Sequence, residues 1–282
     1  MTITTIDEIK NQSFPDFKPI KERQDIYIPD IDNDNISKRN GMVYCLTGSG
    51  GSGKTSLLLN MFKSKKLYRN KFHNIYYFCP SASFLSVEKH PFENHDKVYH
   101  ELTVVELQNI YNELVSYKET SLEKKDKDKD KKPVYGASGI RNTQPYIVDE
   151  IDDDEDEEEP EIKYSCIIID DFANMLKDLD IQKQLNKMII KARHICCSFI
   201  FTLQSYLYFP KMLRKQITYT TIYKPKNVAE FNCIADELLS FNKEDALKLY
   251  NYVFDAPYNH IDIDTVESKV YKNFNTLNIN TQ

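Results

Sequence analysis

The sequence predicts an α/β domain in which helices cover both faces of a mostly parallel sheet. Short apolar runs with the length of buried strands alternate along the chain with segments whose apolar residues recur at helical spacing. A glycine-rich loop separates the first of these strands from the first helix. An alternation of strands and helices favours a parallel sheet, because the helices then cover both of its faces.

The first predicted elements surround the glycine-rich loop. Residues 1–41 are polar, contain three prolines and are predicted to form an arm that leads into the core. Residues 42–47 form an apolar run that stops at a glycine, which is typical of a buried strand. Residues 55–65 carry apolar side chains at helical spacing. This part of the chain therefore predicts the order strand, loop, helix.

The remaining elements follow from the same patterns. Thr103 is expected to cap a helix at residues 103–116, and Glu106 completes a capping box. Strands are predicted at residues 74–80, 164–171, 198–203, 219–223, 260–263 and 269–271, and helices at residues 172–194, 228–239 and 243–251. The core is thus predicted to span residues 42–275, with a C-terminal tail at residues 276–282.

Residues 118–162 are predicted to form a disordered charged insertion within the core. They include EKKDKDKDKK at residues 123–132 and a run at residues 149–161 with 11 acidic and no basic residues. Such a composition buries too little apolar surface to offset the entropy lost on ordering. Without the acidic run, the formal net charge changes from −6 to +5. The run is either a solvated loop or a mimic of nucleic acid that occupies a basic channel.

Several classes of protein have no support in the sequence. No apolar run approaches the roughly 20 residues of a membrane span, and the N-terminus lacks the apolar region of a signal peptide. The six cysteines include no C-x-x-C pair, which favours reduced thiols in a cytosol-like compartment. The histidines lack ligand spacing, and no G-x-S-x-G motif occurs. We therefore expect neither a secreted protein, a metal hydrolase nor a serine esterase.

The glycine-rich loop at residues 48–55 reads GSGGSGKT and fits the pattern G-x-x-x-x-G-K-[ST]. Its backbone N–H groups and the positive end of the next helix are expected to bind phosphate. Lys54 would reach the β- and γ-phosphates of ATP, and the Thr55 hydroxyl would ligate Mg²⁺. The alternative is a glycine-rich turn that fits by chance. The expected nucleotide-binding residues are Gly48, Ser49, Gly50, Gly51, Ser52, Gly53, Lys54, Thr55 and Ser56.

Two carboxylates follow the apolar strand that contains Ile167, Ile168 and Ile169. A parallel strand delivers its last residue to the ligand crevice, so Asp170 is expected to hold Mg²⁺ directly or through water. Asp171 is one residue further and could deprotonate or orient the attacking water. The alternative for both is that they only cap the following helix.

Three further side chains are candidates for the same chemistry. Gln204 ends the next strand, where it either senses the γ-phosphate or simply opens a loop. Arg193 and Arg214 could each neutralise transition-state charge at the site of a neighbouring subunit. The alternatives are a basic last turn of a helix for Arg193, and a surface charge or a contact to DNA phosphate for Arg214.

The order of these motifs resembles the genome-packaging ATPases of large double-stranded DNA viruses and virophage-like elements, a branch of the FtsK/HerA superfamily. The resemblance covers roughly residues 40–275 outside the insertion. Its more specific parts are the Arg-His pair before an apolar strand, T-x-Q-S-Y at the strand's end and the Pro–Leu–Arg segment after it. The matching stretches are GSGGSGKTSLL at 48–58, NIYYFCPSAS at 74–83, CIIIDDF at 166–172, ARHICCSFIFTLQSY at 192–206 and FPKMLRKQ at 209–216.

The resemblance implies a RecA-like P-loop NTPase that forms a hexameric or pentameric ring around duplex DNA and uses ATP and Mg²⁺ to package it into a capsid. Residues 48–55 would be the Walker A loop, Asp170 and Asp171 the Walker B pair, Gln204 the sensor and Arg193 an inter-subunit residue. It further implies capsid proteins as partners and a place in the host cytoplasm, a viral factory or the virion.

Two features depart from the family pattern. Many relatives have Asp-Glu where this chain has Asp170-Asp171, and the charged insertion is not part of the common core. Two other functions stay open: a nucleotide-dependent scaffold that binds capsid or membrane proteins, and a small-molecule kinase. The kinase is disfavoured because no Arg-rich lid is found in the sequence.

Overall fold

The computed structural model describes residues 28, 31, 35–129 and 163–278, with residues 119–129 described by their backbone alone. The strands are β1 Val43–Thr47, β2 Asn74–Phe78, β3 Val98–Tyr99, β4 Ser165–Asp170, β5 Cys197–Leu203, β6 Tyr219–Tyr223, β7 His260–Asp264, β8 Lys269–Lys272 and β9 Asn275–Leu277. The helices are α1 Lys54–Lys63, α2 Ser81–Leu85, α3 Val104–Lys129, α4 Leu179–Ile190, α5 Lys211–Arg214, α6 Val228–Ile234 and α7 Lys243–Val253.

The strands form one nine-stranded sheet in the order β3-β2-β4-β5-β1-β6-β7-β8-β9. All pairs from β3 to β6 are parallel, whereas the pairs β6–β7, β7–β8 and β8–β9 are antiparallel. The predicted α/β class with a mostly parallel sheet is therefore confirmed. Short turns join β7 to β8 and β8 to β9 and leave no room for crossover helices, so these two pairs are antiparallel.

Apolar side chains on the two faces of the sheet form two separate clusters. Tyr76 and Phe78 of β2 lie in one cluster, and Tyr77 together with the following Cys79 lies in the other. Every residue of β1, β4 and β5 is buried, because helices cover both faces of the central strands. The core thus fixes the ends of these strands firmly in space.

The strand order decides which loops meet. β5 lies between β1 and β4, and the three strands run parallel. Their carboxyl ends therefore lie side by side at one edge of the sheet. The glycine-rich loop follows β1, Asp170 ends β4, and Gln204 follows β5. Segments that are far apart in the sequence are brought together at this edge.

Two predicted boundaries differ from the structure by several residues. The helix predicted at residues 172–194 is α4, which begins after Asp178, whose carboxylate accepts hydrogen bonds from the N–H groups of Asp180 and Ile181. The insertion predicted to begin at residue 118 instead starts as helix, because α3 extends to Lys129. Lys and Glu favour helix, and extending a helix costs less than nucleating one. The rest of the insertion, including the acidic run, lies outside the described residues.

The described part of the N-terminal arm contributes to the core. Ile28, Ile31 and Ile36 are buried with side chains of α1 and with Tyr68. Patterns did not predict α2, α5, β3 or β9, which are too short to show a clear periodicity. β9 extends past residue 275 into the segment predicted as a tail.

In the described part of the chain, no helix combines the length and apolar character needed to cross a membrane.

Candidate functional site

The glycine-rich loop has a fixed backbone shape. The Gly48 N–H donates a hydrogen bond to the Leu203 carbonyl at 3.1 Å, which attaches the start of the loop to the end of β5. A Cβ atom at Gly48 would lie 2.7 Å from Ser52 Oγ and 2.7 Å from Tyr223 Cβ, so no other residue fits there without movement. Gly53 precedes α1 with φ of 103°, a conformation that favours glycine.

Helix α1 begins without a side chain that accepts its first N–H groups. Helices α4, α6 and α7 each begin at a residue whose side chain caps them, whereas α1 follows Gly53 and has no acidic residue in its first turn. Among the described residues, we find no acceptor for the N–H groups of Gly50, Gly51 or Gly53. These donors and the positive end of the helix dipole form a site that fits an anion.

Lys54 and Ser52 add to this anion site. Lys54 Nζ donates to the carbonyls of Gly48 at 2.7 Å and Ser49 at 3.0 Å, which holds the ammonium group over the loop. Burial lowers the pKa of Lys54, against the opposing effect of Asp171 and Asp170. Ser52 Oγ is buried and has no hydrogen-bond partner. A buried hydroxyl without a partner costs about 1–3 kcal/mol of stability.

Asp170 is the buried carboxylate of the site. It is 3% exposed, and it accepts hydrogen bonds from the hydroxyls of Thr202 and Tyr77, the latter at 2.8 Å. Burial raises the pKa of Asp170, and the two hydroxyl donors oppose this effect. A nearby cation would stabilise the ionised carboxylate.

The residues at this edge fit a magnesium ion that is held partly by a bound phosphate. Among the described residues, no group of three or more His, Cys, Asp and Glu could hold a metal ion. Mg²⁺ usually takes one or two carboxylates together with substrate phosphates and waters, rather than a full cage of protein ligands. Asp170 and Thr55 supply the oxygen types that such a site needs.

Asp171 has a different environment from its neighbour. Its φ of 60° lies in the left-handed region, which Asp adopts more readily than most residues. The Asp171 N–H donates to Thr202 Oγ1 at 3.2 Å, and the carboxylate is exposed. The interpretation that the aspartate pair only caps a helix is wrong, because Asp178 caps α4.

Gln204 contacts Asp171 directly. Its Nε2 donates to Asp171 Oδ1 at 3.2 Å across the ends of β4 and β5.

Sequence reasoning missed Thr202 and Tyr77, which hold Asp170. Both lie on strands beside β4, and their role depends on strand register, which periodicity does not give. The T-x-Q spacing at the end of β5 was the signal that could have identified Thr202.

The two candidate arginines lie elsewhere. Arg193 precedes β5, and its backbone N is 2.6 Å from the ideal Cβ position of Gly41, which precedes β1. The glycine-rich loop follows the other end of β1. Because a strand rises about 3.3 Å per residue, Gly48 lies about 20 Å from Gly41. Arg193 therefore cannot reach the glycine-rich loop of its own chain.

Arg214 is held within the fold. Its side chain is 11% exposed, forms an ion pair with Glu237 at 3.3 Å and lies 5.1 Å from the centre of the Tyr206 ring. A neighbouring subunit would have little access to it. The interpretation of Arg214 as a surface charge does not fit this burial.

Comparisons with solved structures show which proteins share this fold. No protein-family model matches the sequence, and no curated protein is significantly similar to it. The DNA-packaging ATPase B204 from Sulfolobus turreted icosahedral virus superposes with a TM-score of 0.51 at 14% identity, covering 85% of this chain and 98% of B204.

Two bacterial proteins match to a similar degree. EssC (ATPases 2 and 3) from Geobacillus thermodenitrificans superposes with a TM-score of 0.51 at 11% identity. The match covers 79% of this chain and 38% of the EssC chain. The cytoplasmic domain of the type VII secretion ATPase EccC from Thermomonospora curvata superposes with a TM-score of 0.51 at 15% identity. The match covers 82% of this chain and 25% of the EccC chain. The chain therefore shares the fold of these three ATPases, which agrees with the α/β P-loop fold that the sequence resemblance implies.

Proposed function

We propose that this chain is a Mg²⁺-dependent ATPase that moves double-stranded DNA. The observation that carries the proposal is the meeting of the glycine-rich loop, Asp170, Asp171 and Gln204 at the carboxyl ends of three adjacent parallel strands. An anion site and two carboxylates at one edge are what ATP hydrolysis requires. The two carboxylates differ in burial, so they are suited to different roles.

The residues of the loop bind and orient the nucleotide. The N–H groups of Gly50, Gly51 and Gly53 and the Lys54 ammonium bind phosphate oxygens. Thr55 and Asp170 would hold Mg²⁺, which would supply positive charge against the negative charge of the phosphates. Thr202 and Tyr77 keep the Asp170 carboxylate in one orientation through their hydroxyls.

Asp171 acts as the general base for the attacking water. Its carboxylate is exposed at the loop edge and is held by the Gln204 amide. A base must lie within hydrogen-bond reach of the proton it takes, and the turn at Asp171 directs the residue away from the buried position of Asp170. Gln204 positions this base and is itself close enough to the site to respond to the γ-phosphate.

DNA as the substrate of the motor is supported by the fold and by charge. B204, whose full length this chain nearly spans, is a DNA-packaging ATPase. The chain outside the acidic run carries a net positive charge, which suits a polyanion. The finer form of the proposal is a hexameric or pentameric ring that packages DNA into a capsid in the host cytoplasm or a viral factory.

The test is steady-state ATPase activity with and without long duplex DNA, at low salt and over a range of protein concentration. We expect duplex DNA to raise turnover several-fold, with activity rising steeply as subunits assemble. Lys54→Ala is the control and should abolish turnover, because it removes the ammonium that binds the phosphates. Turnover in the wild type that does not respond to DNA would contradict the motor and favour the scaffold.

A further inference from the structure

A cavity of about 390 Å³ adjoins the glycine-rich loop. Residues 49–52 of the loop form one wall, and the turn at residues 254–259 between α7 and β7 forms another. Tyr223 and Lys224, at the end of β6, complete the lining. The volume lies within the usual range for small-molecule sites. The glycine-rich loop thus borders a cavity on the side away from Asp170, Asp171 and Gln204, none of which lines it.

The turn opposite the loop is held by a hydrogen bond within itself and by hydrogen bonds from the end of β8 and the residue that follows it. Asp255 Oδ1 accepts from Asn259 Nδ2 at 2.6 Å and from Lys272 Nζ at 2.8 Å. Asn273 Nδ2 donates to Asn259 Oδ1 at 2.8 Å. Lys272 holds the pKa of Asp255 below its usual value, which keeps this carboxylate ionised. The wall is therefore preorganised rather than loose.

Tyr258 presents an exposed aromatic ring on this wall. It is 72% exposed and has φ of 64°, an uncommon conformation for a bulky residue. The other two aromatic residues of the pocket, Tyr223 and Phe254, are buried. Tyr223 is also fixed, since its hydroxyl lies 3.5 Å from the Gly53 carbonyl. Among the aromatic residues that line the pocket, Tyr258 alone offers a large exposed surface.

We propose that this pocket takes the nucleoside of the bound nucleotide and that Tyr258 stacks on its base. The inference rests on the proposed binding of phosphate by the glycine-rich loop. A nucleotide whose phosphates lie on residues 49–52 has its nucleoside next to them, and the pocket is the adjoining space. Every base has a π-face, so stacking on Tyr258 strengthens binding with little preference among bases. Tyr258 is thus an affinity determinant, separate from the residues that act on phosphate.

The test compares two ligands that differ by the nucleoside alone. We would measure equilibrium binding of a non-hydrolysable ATP analogue and of inorganic tripolyphosphate, each with Mg²⁺, to the full chain. Tyr258→Asn removes the ring but tolerates a positive φ. We expect it to weaken binding of the analogue by roughly tenfold, the scale of a lost base–aromatic stack, and to leave tripolyphosphate binding unchanged. Tyr258→Phe is the matched control and should bind both ligands like the wild type.

Other outcomes overturn the inference in distinguishable ways. Equal weakening of both ligands by Tyr258→Asn would show that the turn acts on the loop rather than on the base. Unchanged binding of both would show that the ring makes no contact. A wild-type protein that binds neither ligand would overturn the proposed function itself. Unchanged tripolyphosphate binding also serves as the check that Tyr258→Asn is folded.

Discussion

Asp170 and Asp171 are neighbours in the sequence but have opposite environments. Asp170 ends a strand that is buried on both faces, and two hydroxyls hold its carboxylate. The backbone turns at Asp171 into the left-handed region, and the second carboxylate lies exposed beside Gln204. A single step along the backbone thus separates a carboxylate suited to a metal ion from one suited to a proton.

Replacing Asp171 by Asn is expected to stop hydrolysis while leaving ATP binding close to that of the wild type. The variant keeps an oxygen that can accept from Gln204 but cannot take a proton, so turnover should fall by about 10²–10⁴-fold. Single-turnover hydrolysis and equilibrium binding on the same preparation measure the two effects. Wild-type turnover in Asp171→Asn would show that Asp171 is not the base.

At the scale of elements, a cluster of side chains joins α3 to the edge strands. Lys97 Nζ donates to Glu113 Oε1 at 2.7 Å, and the Tyr117 hydroxyl donates to the same oxygen at 2.8 Å. Lys97 also lies 4.5 Å from the centre of the Tyr76 ring. Burial tends to raise the pKa of Glu113, but the hydrogen bonds from Lys97 and Tyr117 outweigh it and hold the pKa below 4.5.

Glu113→Gln is therefore expected to lower the free energy of unfolding in a pH-dependent way. A carboxyl with a lowered pKa stabilises the fold above its ordinary value of 4.5, and this contribution is lost as the pH falls through the lower folded value. Because the ion pair is partly exposed, we expect a loss of about 0.5–1 kcal/mol at pH 7. Urea denaturation at pH 7 and at pH 3 measures it.

A matched control is Glu88→Gln, which changes an exposed carboxyl in the same way and should cost little at either pH. A difference between the wild type and Glu113→Gln that stays constant down to pH 3 would contradict the charge-based explanation. It would instead point to a loss of packing between α3 and β2.

At the scale of the whole molecule, the proposed catalytic residues lie at both the carboxyl ends and the amino ends of the central strands. The glycine-rich loop lies at the carboxyl ends of the central strands, and Arg193 lies near their amino ends. Arg193 can therefore act in hydrolysis only at the nucleotide site of a second subunit. In that arrangement, the amino ends of the strands of one subunit face the glycine-rich loop of the next. The ring implied by the sequence resemblance provides such an arrangement.

Mixing two inactive variants tests this arrangement. Lys54→Ala lacks a working loop but supplies Arg193, and Arg193→Ala supplies the loop, so an equimolar mixture should regain part of the ATPase activity. Lys54→Ala mixed with Asp170→Asn is the control and should stay inactive, because each chain of that pair has a defective site. If the first mixture is no more active than its components, Arg193 does not act between subunits.

The boundaries of most central elements could be predicted because they depend on local patterns. The strand predicted at residues 219–223 coincides with β6. The predicted cap of α3 is also present, because Thr103 Oγ1 accepts a hydrogen bond from the Glu106 N–H at 3.2 Å. Predictions failed where local pattern is weak or misleading, as at β3, at β9 and at the charged end of α3. A charged composition predicted disorder there, whereas the helix continues to Lys129.

The sequence by itself determined the class of fold and the glycine-rich loop with its lysine, because strand, loop and helix are contiguous in the chain. It also identified Asp170, Asp171 and Gln204 as candidates, while their roles remain predictions. The tertiary structure alone decided that Thr202 and Tyr77 hold Asp170, that Arg193 lies near the amino ends of the central strands and that Tyr258 lines the cavity beside the loop. The physical reason is that strand order and register bring together residues far apart in the chain, and no local pattern encodes either.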